Sequence, residues 1–203
     1  MPLSTEHVGV LETIQKEWNQ AEEDIKLAEQ VCTDIVVPAI KELRYGGRRL
    51  VDMIHLILTD GTQEDINALL SDATFDCHRA RHDAIDAATA KISLDLDIMV
   101  RKLKHEPILA AYPEFPKLLS SLSTVREKIA LSRSNREDRI AIYAVIEVTD
   151  LPILITAYND LRQSEPMMKA LARRNRWRDF FGFWGFIVGV VGLIFAVIAL
   201  LLA

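Results

Sequence analysis

Cysteine is nearly missing from this chain: Cys32 and Cys77 are the only two, far apart and with no spaced framework around them. That excludes a disulfide-stapled secreted fold and fits a reducing compartment. No segment alternates polar and apolar residues in the way of a strand, and no internal repeat or low-complexity tract occurs, which argues against β-sheet and solenoid classes. The N-terminus, MPLSTEHVGVLETIQKEW, carries acids and no apolar run, so no signal peptide is expected. P-loop, GxGxxG, HExxH and CxxC motifs are missing, as is a Ser or Cys nucleophile in a recognisable local frame. Neither an enzyme nor a bound cofactor or metal is expected. From Phe180 to Ala203 there is also no charged side chain and no proline.

That last absence organises the rest. The stretch reads FFGFWGFIVGVVGLIFAVIALLLA. As a helix rising about 1.5 Å per residue it covers the roughly 30 Å hydrocarbon core of a bilayer. A chain of this size has too little protein to wrap a helix that is apolar all round, so residues 180–203 are predicted to be a transmembrane helix. Every Gly and Ala in it falls on one three-four seam: Gly182, Gly185, Gly189, Gly192, Ala196, Ala199 and Ala203. Helices in lipid associate through close packing, which small residues permit, so the seam predicts self-association.

Lys169, Arg173, Arg174, Arg176 and Arg178 stand immediately before the span, with Trp177 and Trp184 where an interfacial aromatic belt belongs. The positive-inside rule puts this basic collar, and residues 1–168 with it, on the cytoplasmic side, as in a tail-anchored, single-pass protein. The collar also suits anionic lipid head groups. Removing these five basic residues and Asp179 from totals of 24 and 29 leaves minus nine on residues 1–168. An acidic domain of this kind is repelled by phosphate backbones, so no nucleic-acid partner is expected.

The remaining sequence reads as helices. Ser4 or Thr5 caps the first, with a seam of Leu11, Ile14, Trp18, Ala21, Ile25, Ala28, Cys32 and Ile35. From Cys32 the seam then steps by four to Val36 and runs on through Ile40, Leu43, Gly47, Leu50, Ile54 and Ile57. VVPAI lacks turn residues, so a kink at Pro38 within one long helix is expected there, with Gly46-Gly47 a hinge or a close approach. Thr59 to Thr62 form a turn, and TQED a capping box for a second helix to about Lys104. Its seam is Ile66, Leu70, Ala73, Cys77, Ala80, Ala84, Ala87, Leu94 and Ile98. Pro107, Pro113 and Pro116 break the chain. Then come a helix with Leu118, Leu122, Val125 and Ile129 inward, and another, capped near Asn135, with Ile140, Tyr143, Ala144 and Ile146 inward. Pro152 restarts or kinks it, and the apolar ILITAYNDL beyond is too short to span a bilayer. From Ser164-Glu165-Pro166 one uninterrupted helix is expected into the membrane.

Two constellations have the spacing of chemistry. His78, His82 and Asp86 at i, i+4 and i+8 offer three metal ligands, but they sit outward of the Cys77, Ala80, Ala84 seam beside Arg79 and Arg81, which reads as a solvated charged face. Arg49 and His55 have the separation of the R-x(4-6)-H motif, in which one short motif resembles HEPN ribonucleases; the resemblance implies an RNase. Here the pair lies mid-helix about 240° apart, with Leu50 where the family has a polar residue.

These observations predict an all-α chain: an elongated helical bundle of four or five helices with coiled-coil-like seams (residues 1–163), a basic juxtamembrane helix (164–179) and a single C-terminal transmembrane helix (180–203). The expected function is a membrane protein that self-assembles through its Gly/Ala helix as a homo-oligomer, with a cytoplasmic bundle that senses or binds a protein partner. Its sharper form is a membrane-perturbing or pore-forming effector. The Gly/Ala pattern resembles the pore helices of small-conductance mechanosensitive channels, although the lack of any polar residue argues against a permanently wet pore. The rival is a passive membrane-anchored coiled-coil scaffold or tether.

Overall fold

Turn and cap residues set the ends of the helices. The computed structural model describes residues 5–202, which form eight α-helices and one π-helical segment with no strand among them. These are α1 (Thr5–Cys32), α2 (Val37–Leu58), α3 (Gln63–Leu103), α4 (His105–Ala111), α5 (Phe115–Ser134), α6 (Arg139–Val145), the π segment (Ile146–Asp150), α7 (Leu151–Gln163) and α8 (Glu165–Leu202). Ser4, the alternative first cap, lies outside the described residues. Two compact units divide the chain: residues 1–96 with 118–158, and residues 97–117 with 159–203.

In the first unit α1 and α2 fold back on each other, which corrects the single kinked helix expected at Pro38. Thr33 takes a left-handed backbone (φ 55°), the Asp34 carboxylate accepts from the Ile35 amide, and Pro38 occupies the first turn of α2, where its missing N–H costs nothing. A turn between the helices frees the phase of α2. Val36 and Leu43 are buried as expected, but Ile40 and Ile54 are exposed, and Ala39, Gly46 and Met53 face inward instead. Gly46 is a close approach: a Cβ there would lie 3.4 Å from the Ala73 carbonyl oxygen on α3.

The long α3 is the strut of this unit. Thr62 and Asp65 cap it reciprocally, the Thr62 hydroxyl 2.6 Å from the Asp65 carboxylate and accepting from the Asp65 amide. Ile66, Leu70, Ala73, Cys77, Ala80 and Ala84 are buried as predicted. Beyond them the buried row becomes Ile85, Ala88, Ile92 and Leu96, and Leu94 is exposed. An undistorted helix drifts about 20° per heptad, so four heptads from Ile66 move the buried face by nearly one residue.

α5 buries Leu118, Leu122, Val125 and Ile129, and Asn135 and Asp138 bond to each other ahead of α6. Ile140 and Ala144, expected inward, are exposed, whereas Tyr143 and Ile146 are buried. The buried positions run Tyr143, Ile146, Leu151, Leu154, Tyr158; the step of five falls where the Leu151 amide reaches back to Ile146. This wider turn absorbs the extra residue, so α6, the π segment and α7 form one run through Pro152, where a restart or a kink was expected. That run, Arg139–Gln163, is long and apolar enough to cross a membrane by length and composition. ILITAYNDL is therefore part of a longer element than expected.

In the second unit α4 packs on α8. Ile108, Phe115, Leu161 and Met168 are fully buried there, with Ala172 nearly so. Lys104, left-handed at φ 68°, separates α4 from α3. Glu165 and Pro166 open α8, which then runs unbroken to Leu202.

Candidate functional site

α8 carries the residues that the sequence singled out. Lys169 pairs with Glu165 one turn back at 2.8 Å, and Arg178 lies 3.8 Å from Glu106 of α4. Arg173, Arg174, Arg176 and Arg178 are all exposed. Arg173 and Arg176 line one open cleft with Trp177 and Phe180, so cations and aromatic faces share a single side of the helix. The rings continue as a ladder: Trp177 stacks on Phe181 at 5.7 Å between centroids, and Phe180 meets Trp184 at 6.1 Å.

Beyond the ladder the side chains turn outward on nearly every side. Phe180, Phe181, Trp184, Phe186, Val188, Val190 and Val191 are between 41% and 71% exposed. At about 100° per residue, Gly185, Gly189 and Gly192 fall within an arc of about 60° that none of these seven occupies. A Cβ added at any of the three glycines would meet nothing within 4 Å. The glycine face is thus open over these residues. Ala203, and the surroundings of Gly182, Ala196 and Ala199, lie outside the described residues.

The sequence did not point to a second constellation, an ionic hub inside the first unit. Arg81 of α3 donates through Nε to Asp24 (3.3 Å) and through its two terminal nitrogens to Glu17 of α1 and Glu147 of the π segment. His78, one turn earlier, lies 3.4 Å from Glu17. Burial works against the Arg81 charge, but the Glu147 bond and the three carboxylates outweigh it and hold its pKa up. Burial pushes the Asp24 carboxyl up to about 6, with Glu147 adding to the rise and Arg81 opposing it. Three acids around one guanidinium leave the hub with excess negative charge, which adds to burial in holding Asp24 back from ionisation.

His82 and Asp86 belong to the next layer. His82 stacks on Tyr143 with ring centroids 3.8 Å apart, and the Tyr143 hydroxyl donates to Asp86 at 2.7 Å while Arg133 holds the other carboxylate oxygen at 3.0 Å. Burial lowers the His82 imidazole to about 3, helped by the charges of His78, Arg139 and Arg81. His78, His82 and Asp86 are therefore not a solvated face. Their side of α3 is covered by α1 and α6, because this helix has neighbours on more than the one seam that its alanines mark. Among the described residues no group of three His, Cys, Asp or Glu is placed to hold a metal ion.

Arg49 reaches across to Asp72 and Asp76 on α3 at 3.6 and 3.9 Å, while His55 is exposed on α2. Cys77 is buried, and burial pushes its thiol up to about 11, far from the reactive thiolate range. Comparison with protein-family models, with curated proteins and with solved structures finds no match to this chain.

Proposed function

We propose that this chain is a membrane protein held in the bilayer by residues 180–203, that copies of it associate through the face of Gly182, Gly185, Gly189, Gly192, Ala196, Ala199 and Ala203, and that its helical units outside the bilayer engage a protein partner. The observation that carries the proposal is the outward display of large apolar side chains from Phe180 to Val191 around an open glycine face. In water such a surface is costly at roughly 25 cal/mol per Å². In lipid it costs nothing, and the glycine arc is where two backbones approach. Arg173 and Arg176 beside Trp177 supply charge and aromatic surface at the head-group level, on the cytoplasmic side by the positive-inside rule.

The test compares Gly189→Leu with Val190→Leu by cross-linking in native membranes. Both variants keep the hydrophobicity needed for insertion, so a difference reports packing. Wild type and Val190→Leu give dimers or higher oligomers, and Gly189→Leu gives mainly monomer. Equal cross-linking of Gly189→Leu and wild type rejects the seam and leaves the passive tether. Dye leakage from cells expressing wild type but not Gly189→Leu supports the membrane-perturbing form of the proposal.

A further inference from the structure

The two faces of α2 have different surroundings. Ala39, Leu43, Gly46 and Met53 are buried. Val37, Ile40, Val51, Ile54 and Leu58 are between 41% and 77% exposed. Scattered surface hydrophobics have no register, but these five do. With Arg44 and Gly47 in the two gaps they step by three and four along the whole helix, which is the a/d repeat of a coiled-coil seam. These five side chains stay exposed, and the seam meets α1 at Gly47, against Trp18.

Beside its middle lies an open groove of about 540 Å³ where α2 meets α1, lined by Trp18, Leu43, Gly47 and Val51 with Arg44 and Arg48 along it. Gly47 forms its floor: a Cβ there would come within 3.1 Å of the Trp18 ring. Large side chains from an incoming helix fit such a dip better than they fit a flat helix face.

Charge then selects the occupant. Lys41 and Arg48 stand seven residues apart beside the seam, Arg48 sharing its charge with Asp52 at 2.9 Å, and Arg44 stands within it over the Tyr45 ring, 5.5 Å from its centroid. In a chain of net charge -5 this is a local reversal of sign. A second copy is a poor occupant. Paired in parallel, Arg44 meets Arg44; paired antiparallel, Arg48 meets Arg48. Acidic flanks on a partner satisfy the same residues.

We infer that the outer face of α2, with its groove against Trp18, binds an amphipathic helix of another protein whose seam is Leu, Ile or Val and whose flanks are Glu or Asp. The inference rests on the partner-binding role proposed above for the units outside the bilayer, and names the surface and the partner's chemistry.

The full chain, in nanodiscs of phosphatidylcholine, is titrated with two labelled peptides of about three heptads that share Leu and Ile at a and d. One carries Glu at the flanking positions and the other Lys. The Glu peptide binds at least about tenfold more tightly than the Lys peptide. Val51→Ser with Ile54→Ser weakens it at least about tenfold, and Arg44→Glu with Arg48→Glu reverses the preference. All four positions are exposed, so an unchanged helical melt accompanies these losses. Equal binding of the two peptides, or binding of neither, overturns the inference. So does dimerisation that Val51→Ser with Ile54→Ser abolishes, which assigns the face to a second copy, and so does recruitment of phosphatidylserine vesicles that the same variant abolishes, which assigns it to a lipid surface. Normal cross-linking through the C-terminal helix without peptide binding rejects the docking face alone. Peptide binding without that cross-linking rejects the self-assembly alone.

Discussion

Asp24 and His82 give the first unit two opposite responses to acid, and separating them tests the buried hub. His82 titrates near 6.5 in the unfolded chain and near 3 in the fold, so from pH 6.5 downward the unfolded state takes a proton that the native state refuses, and stability falls. By pH 5 this costs about 2 kcal/mol. Asp24 runs the other way. Its carboxyl is raised from 3.8 to about 6, so the native state takes up a proton first, and stability rises as pH falls through 6 towards 3.8. By pH 5 it contributes about 1.4 kcal/mol. Through these two groups wild type loses under about 1 kcal/mol between pH 8 and pH 5. Asp24→Asn removes the compensation and loses about 2 kcal/mol over the same interval, while His82→Gln removes the loss and gains about 1.4 kcal/mol. At pH 7, Asp24→Asn also relieves a buried, partly repelled charge, so it is more stable than wild type by up to about 3 kcal/mol. The measurement is urea unfolding of the full chain in detergent micelles, followed by circular dichroism at pH 5, 6, 7 and 8. Parallel pH profiles for wild type and both variants would show that Asp24 and His82 are solvated, and the hub as described would be wrong.

Two further predictions concern stability. Arg81→Met leaves Glu17, Asp24 and Glu147 together without a cation and costs about 3–5 kcal/mol, whereas loss of the exposed Arg178 to Glu106 pair by Arg178→Ala changes the melting midpoint by less than thermal unfolding resolves. Ile25→Asp or Leu70→Asp places an unpaired charge in a buried position and costs several kcal/mol, and Glu23→Ala is nearly neutral; equal melting of Ile25→Asp and wild type sinks the assignment of the α1 face.

Much of the helix layout is legible in the residues because its signals are local. The capping box of Thr62 and Asp65, the turn of Asn135 to Asp138 and the buried row of α5 each depend on residues within one or two turns. The break before Pro38 was not legible, since a left-handed Thr33 does the work usually marked by Gly or Asn. Nor was the shift of the α3 face towards Leu96, which accumulates over several heptads too gradually for a fixed repeat to follow. The hub was hidden for another reason. Glu17, Asp24, Arg81 and Glu147 come from three distant stretches, and each alone looks like an ordinary charged surface residue. Glu147 reaches Arg81 from the π turn, whose only trace in sequence is a step of five between Ile146 and Leu151.

α8 has a mechanical consequence. Between its start at Glu165 and Phe181 it contains no glycine, and proline only at its second residue, so the length that α4 packs against and the length that bears the glycine face belong to one stiff rod. Torsion in a hydrogen-bonded helix is not dissipated over a few turns. A rotation imposed on α8 where Met168 and Ala172 are buried therefore reappears, with the same sign and nearly the same angle, at Gly185, Gly189 and Gly192. Since the open arc spans about 60°, a twist of that order is enough, in the self-assembly proposed above, to point it away from a neighbouring copy. The end of α8 that α4 holds thus sets the direction in which the glycine face points.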